Sequence, residues 1–349
     1  MNRDMMELLI RSAFEAADPG GAITFSFQGG EPTLAGLAFY EDFLQTERRY
    51  VNPDVRISHA IQTNGMLIDT DWAKFFQKEH FLVGVSIDGE EVTHDLHRVD
   101  STGRGTWKRA KAALETLDNF GVETNLLCVV TRAAARYPGR TYDSLLKLGA
   151  RYLQFFPCLD PYDSERGGMS YSLLPKAYGG FLCKLFDRWY FDWQRGQYTS
   201  IRLFDDYVHL FMGCPAGSCA TNGSCGDYLV VESDGSLYPC DFFVEESWKI
   251  GSLSDGTSLS EMMINAQMKR FRNIRYCNPA ECGACKWVRV CRSGCVRDWV
   301  RDDHGMRNYY CSSFQMFFEY AAQRLELIAR KETAMQKQIQ QRYSINLHR

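Results

Sequence analysis

The sequence predicts an α/β fold: a parallel sheet with crossover helices, then a small cysteine-rich region and a C-terminal helix. Three observations predict it. Over the first 160 residues, short apolar runs alternate with segments of helical period. Polar and Gly-rich residues follow those runs directly, where a (β/α) barrel or an open α/β sheet places its active site. Ten of the 13 cysteines then crowd between Cys214 and Cys311.

Asn2 can cap a first helix whose apolar residues (Met5, Leu8, Leu9, Ala13, Ala16) recur at helical spacing until Pro19-Gly20-Gly21. Residues 22–27 read as a buried strand ending in Gln28-Gly29-Gly30-Glu31-Pro32. Further strands are expected at 56–62, ending in Thr63-Asn64-Gly65; at 81–87, ending in Asp88-Gly89; at 123–130; and at 152–157. Helices are expected near 35–50, 69–79, 106–119 and 141–148. Any one Gly pair is an ordinary tight turn. Several such strand ends facing one way point to a site. Because a helix opens the chain, a strand is expected upstream of Met1, and its absence leaves an open sheet edge.

Residues 174–212 read as two helices, the first rich in aromatics (Phe181, Phe186, Trp189, Tyr190, Phe191, Trp193) that are expected in the core. Residues 228–232 and 237–240 flank Ser233-Asp234-Gly235 as a β-hairpin. From about 313 to 342 the pattern is helical again, and its basic end reads as a solvated helix or frayed tail.

The 349 residues carry 40 Lys+Arg against 43 Asp+Glu, a net charge of -3 that argues against nucleic-acid binding through bulk charge. No run of 18 apolar residues predicts a membrane span, and the first residues do not resemble a secretory signal. A soluble, cytoplasmic protein is expected. In a reducing compartment, crowded cysteines read as metal ligands rather than disulfides.

Two cysteine groups stand out: Cys219-x5-Cys225-x14-Cys240, and Cys282-x2-Cys285-x5-Cys291-x3-Cys295 with Cys311 beyond. Eight thiolates suit two four-Cys iron–sulfur clusters or two four-Cys zinc sites, and spacing leaves both open. Cys214 and Cys277 remain as free thiols or alternate ligands.

This pattern, with Gly235 between the ligands, resembles the SPASM region of radical S-adenosylmethionine (SAM) enzymes. The strand ends Gln28–Thr33, Gln62–Gly65 and Ser86–Gly89 resemble the partial barrel of the same superfamily. Residues 27–36, His94-Asp95-Leu96-His97-Arg98, residues 153–159 and Tyr238-Pro239-Cys240-Asp241-Phe242-Phe243 resemble an anaerobic sulfatase-maturating enzyme. The resemblance implies a partial (β/α)6 TIM-type barrel lacking its first strand (1–165), a helical connector (166–212), a SPASM domain (213–312), and a C-terminal helix and tail (313–349).

It further implies one auxiliary [4Fe–4S] cluster on Cys219, Cys225, Cys240 and Cys295, and another on Cys282, Cys285, Cys291 and Cys311. SAM would meet Gly30, Ser86, Arg98 and the backbone around Leu159. Each has an ordinary reading too: Ser86 a buried strand residue, Arg98 a surface ion pair, His94 and His97 solvated side chains. A carboxylate beside a cluster ligand, Asp241 is expected in a desolvated setting and would be the base that deprotonates a substrate Cys or Ser. Its alternative is a hydrogen bond to the hairpin backbone. The implied reaction converts a Cys or Ser of an unfolded sulfatase polypeptide to Cα-formylglycine. A 5′-deoxyadenosyl radical takes the β-hydrogen, and an electron leaves through an auxiliary cluster; a ferredoxin- or flavodoxin-type electron donor is implied as partner.

The sequence departs from the family in two places. Cys-x3-Cys-x2-Cys, the ligand set of a third, SAM-binding [4Fe–4S] cluster, does not occur, and no Cys precedes Cys128. These residues alone are therefore expected to be inactive; either an upstream segment is missing from the sequence, which the intact pocket and missing strand favour, or the chain has lost catalysis. Arg292-Ser293-Gly294 stands where the family usually has a Gly pair before Cys295. Rival readings are a SPASM peptide maturase that forms thioether or other crosslinks, and a non-catalytic, metal-stapled peptide-binding or electron-transfer protein.

Overall fold

The computed structural model describes residues 1–162, 164–277, 280–302 and 305–347; side chains at 276–280, at 302 and from 341 onward lie outside the described set. Six parallel strands pair in chain order: β1 (Ala22–Phe27), β2 (Arg56–Thr63), β3 (Leu82–Ser86), β4 (Thr124–Val130), β5 (Tyr152–Pro157) and β6 (Ser200–Ile201). Between and around them run α1 (Arg3–Ala16), α2 (Leu37–Glu47), α3 (Thr70–Lys78), α4 (Glu91–His94), α5 (Trp107–Asn119), α6 (Pro138–Lys147), α7 (Pro175–Gln194) and α8 (Arg202–Phe211). The five expected strands are all present. The two-residue β6 was missed, because so short a strand between two helices carries no period.

The cysteine-rich part holds α9 (Cys219–Asn222), a three-stranded antiparallel sheet of β7 (Val230–Val231), β8 (Ser236–Tyr238) and β9 (Gly251–Ser252), and helices α10 (Leu259–Ile264) and α11 (Ala266–Asn273). After these come α12 (Ala280–Ala284), α13 (Val288–Cys291), the hairpin of β10 (Trp299–Asp302) and β11 (Gly305–Asn308), and α14 (Cys311–Leu347). The expected first hairpin forms, with Val230 opposite Tyr238 and Val231 opposite Leu237. No helix among the described residues is long and apolar enough to cross a membrane.

The chain packs as two compact units that are not continuous in sequence, whereas the sequence reading divides it by segment. The first unit joins 1–127 and 147–151 to 224–276; the second joins 128–146 and 152–223 to 277–349. In the first, Asn2 caps α1 by accepting from the Met5 N–H. The helix then works with two faces. Met6 and Ile10 are buried, while Met5, Leu8 and Leu9 pack on Leu237, Leu253 and Met262 beneath the hairpin. Aromatics fill the space under β1 and β2: Phe27 meets Tyr40 and Phe43 edge-on at about 5 Å. In the second unit, Phe181, Phe186 and Trp189 of α7 are core residues as expected, with Phe317 of α14 edge-on to Phe186. Phe191 of the same stripe is exposed instead, under the Arg195 guanidinium.

Candidate active site and metal centres

In the first unit the strand ends are tied together by one carboxylate. Beyond β1, Gly29 and Gly30 have φ of 86° and 49°, a left-handed backbone that side chains rarely adopt. A Cβ at Gly30 would meet nothing within 4 Å, so this turn presents open backbone. It aims Glu31 back across the sheet. Glu31 Oε1 accepts from the Thr33 N–H at 3.0 Å and the Thr63 hydroxyl at 2.8 Å, and Oε2 accepts from the Asn64 N–H at 2.7 Å. The Thr33 hydroxyl donates to Oε1 as well. Sequence reasoning quoted Glu31 within a motif and missed this role.

Beyond β3, which ends at Ser86, Asp88 is buried and paired with Arg98 through two bonds, Nε–Oδ2 at 2.6 Å and Nη2–Oδ1 at 3.2 Å. His94 is 1% exposed, which corrects the reading of it as a solvated residue. Its Nδ1 accepts from the Asp88 N–H at 3.1 Å, so Nε2 carries the proton and donates to the Thr106 hydroxyl at 3.0 Å. That hydroxyl in turn donates to the Arg98 carbonyl oxygen at 2.9 Å. Asp88, His94 and Thr106 thus fix the loop that carries Arg98.

Burial holds the His94 imidazole below its ordinary value of 6.5. Below about pH 6.5 the unfolded chain takes up a proton that the folded one does not, so this contribution is full above that pH and falls as the solution acidifies. Urea midpoints are expected to drop between pH 7.5 and 5.5, and to drop less steeply in His94→Gln. An equally steep fall in the variant would remove His94 from the account.

The hairpin in this unit is closed by Gly235, φ 85°, where a Cβ would lie 2.5 Å from Met5 Sδ of α1. It carries Cys240, whose thiol burial pushes up to about 12. Asp241 is exposed, because the turn from 241 to 243 puts Phe243 inward and the carboxylate outward. The desolvated setting expected for it is therefore not found. Its partner is Tyr228, missed from the sequence: the phenol lies 2.6 Å from Asp241 Oδ1 and 3.4 Å from Cys240 Sγ. Arg275, buried, donates from Nε to Cys225 Sγ at 3.1 Å.

In the second unit, Cys282, Cys285, Cys291 and Cys311 line one cavity with Ser293 and Arg307. Cys282 and Cys285 come from α12 and the turn after it, Cys291 ends α13, and Cys311 begins α14. Burial pushes the Cys291 thiol up to about 12, and the neighbouring Cys311, Cys282 and Cys285 add to the effect. Four thiols so placed repel one another as thiolates, and a positively charged centre reverses that balance. The donor set thus fits an iron–sulfur or zinc centre. Among the described residues no three His, Cys, Asp or Glu are drawn around a single-ion position.

Cys219 opens α9, whose turn is held by buried Asp206 of α8. Asp206 accepts from the Gly217 N–H at 2.7 Å, the Ser218 N–H at 3.2 Å and the Thr221 hydroxyl at 2.5 Å. Asp206→Ala strands these donors and is expected to cost about 2–4 kcal/mol, read as a lower urea midpoint; an unchanged midpoint would mean the turn is held elsewhere. Cys295 accepts from the Arg297 N–H at 3.4 Å, and Leu159 follows β5 beside Cys158, whose N–H bonds the Val130 carbonyl at 3.0 Å. Cys214 is exposed, and the Cys277 side chain lies outside the described residues.

Comparison with known proteins matches two family models, two curated relatives and two solved structures. Residues 4–145 match the family model of the Radical SAM superfamily, and residues 222–286 match that of the SPASM iron–sulfur cluster-binding domain. The chain is 41% identical to a cysteine-type anaerobic sulfatase-maturating enzyme of Clostridium perfringens, over 94% of this chain and 89% of that one. It is 34% identical to a serine-type enzyme of Klebsiella aerogenes, over 91% and 77%. The solved structure of native anSMEcpe with bound AdoMet superposes with a TM-score of 0.90 at 40% identity, covering 95% of this chain and 90% of that one. The same protein solved with AdoMet and the Cp18Cys peptide gives the same TM-score.

Proposed function

We propose a reaction on one premise: the chain belongs to the anaerobic sulfatase-maturating enzymes, a family of radical SAM enzymes with a SPASM domain. The reaction is oxidation of a Cys or Ser side chain in a sulfatase polypeptide to Cα-formylglycine. Bound SAM and iron–sulfur clusters supply the hydrogen-abstracting radical and the acceptor for the second electron. The protein's own residues bind, orient and move the proton.

Gly30, Ser86, Arg98 and the backbone around Leu159 are the proposed SAM contacts. The open backbone of Gly30 supports this, as does the Asp88 clamp that fixes Arg98. Cys282, Cys285, Cys291 and Cys311 are proposed to hold one auxiliary [4Fe–4S] cluster. Cys219, Cys225, Cys240 and Cys295 are proposed for the other on cysteine spacing and family membership. The third, SAM-binding cluster has no ligand set among these 349 residues, and alone they are proposed to be inactive.

The observation that carries the reading is the cluster of Cys240, Asp241 and Tyr228. Asp241 is accessible to a peptide, and as a carboxylate it accepts the substrate thiol or hydroxyl proton at Oδ2 while Tyr228 holds Oδ1. That anSMEcpe was solved with the Cp18Cys peptide bound supports a peptide substrate for this chain. A ferredoxin- or flavodoxin-type protein is the proposed electron donor.

The test joins an upstream Cys-x3-Cys-x2-Cys segment to the chain. With SAM and reductant, it is offered a peptide containing Cys-x-Pro-x-Arg or Ser-x-Pro-x-Arg. Aldehyde trapped on the peptide and seen by mass spectrometry is the expected result. SAM cleavage without aldehyde would sink the sulfatase assignment, and a crosslinked peptide would replace it with the maturase reading.

A further inference from the structure

Arg292, Ser293 and Gly294 all have left-handed backbone, with φ of 49°, 63° and 61°. Glycine adopts this freely; a serine there is strained and persists only where its surroundings over-determine it. Arg292 has a visible role, because its Nη1 donates to the Asn222 carbonyl at 2.7 Å and the Asn222 side-chain oxygen at 3.0 Å. Ser293 is 5% exposed, and its carbonyl accepts from the Trp299 indole N–H at 2.9 Å and from Asn308 Nδ2 at 3.0 Å. Glycine could make both bonds without strain. What glycine lacks is the hydroxyl, and Ser293 Oγ donates to Cys282 Sγ at 3.5 Å inside the cavity of the four thiols.

We propose that Ser293 is a tuning residue for the iron–sulfur centre of Cys282, Cys285, Cys291 and Cys311, its hydroxyl raising that centre's reduction potential. The inference rests on the proposal that these four cysteines hold a cluster. Reduction adds negative charge that is shared with the ligand sulfurs, so a donor at Cys282 Sγ stabilises the reduced state more than the oxidised one. The backbone strain is retained because it places that donor.

The experiment uses the 349-residue chain reconstituted with iron and sulfide without oxygen. Metal and sulfide analysis reports on the cluster reading; a redox titration followed by electron paramagnetic resonance reports on Ser293. Ser293→Ala removes the hydroxyl and keeps the strain, whereas Ser293→Gly removes both. With iron content unchanged, both variants are expected to shift one reduction step to lower potential by the same amount, leaving the other in place. The expected size is about a three- to tenfold fall in the one-electron equilibrium constant, tenfold being about 59 mV. Ser293→Gly should also raise the urea midpoint. Full iron with no shifted step overturns the proposal. So does a shift in the Gly variant alone, which would make strain the cause. A parent chain that takes up zinc and no sulfide shows no reduction step, and then the cluster reading fails first and takes this inference with it.

Discussion

Arg98→Met is expected to lower stability by about 3 kcal/mol, among the largest effects of any single change in the first unit. The side chain of Asp88 is only 7% exposed and that of Arg98 27% exposed, and the two meet through paired bonds. Removing one member of a buried pair costs roughly 3–5 kcal/mol, because the remaining charge loses its partner without regaining water. The partial exposure of Arg98 sets the lower end of that range. Asp88→Asn combined with Arg98→Met leaves no stranded charge and is expected to recover most of the loss. If the pair is only structural, SAM affinity recovers with stability in the double variant. The proposed contact predicts otherwise: the urea midpoint returns, while SAM binding by calorimetry stays at least tenfold weaker than in Asp88→Asn alone. Recovery of both would remove Arg98 from the SAM site.

The parts legible in the sequence were those with a period or a fixed spacing. Alternating strands and helices announced the parallel sheet, and Ser233-Asp234-Gly235 announced a hairpin whose glycine is required by Met5 packing against it. Cys-x2-Cys with its downstream partners announced a cavity lined by four thiols. Contacts between residues far apart in the chain were not legible. Glu31 gives no sign of bonding Thr63 and Asn64 32 and 33 positions away, nor Tyr228 of bonding Asp241 beyond a turn. His94 shows why a motif does not report burial: its ordinary reading was a solvated side chain, while the fold uses it as an internal strut. Arg292-Ser293-Gly294 was visible as a departure, but its left-handed backbone was not. Asp241 was expected to be desolvated and is exposed, because its turn opens outward.

Cys291→Ala should have the largest effect in the second unit, because it removes a ligand rather than a contact. Two four-Cys sets predict about 8 iron and about 8 sulfide per chain in the parent protein. With one set broken, about 4 iron are expected to remain, held by the untouched cysteines. The loss should also reach the fold. The 280–311 segment consists of short helices and one hairpin joining the four thiols, with little core of its own. In such segments metal-binding energy is folding energy, so iron chelation of the parent should loosen the same region as the substitution. Hydrogen exchange is expected to rise over α12, α13 and the start of α14 in both cases, while α7 and the aromatic core around Phe186 and Phe317 stay protected. An unchanged iron content in Cys291→Ala would exclude that thiol from the ligand set. Full loss of iron from both sites would instead mean that the two centres fold as one unit, each requiring the other.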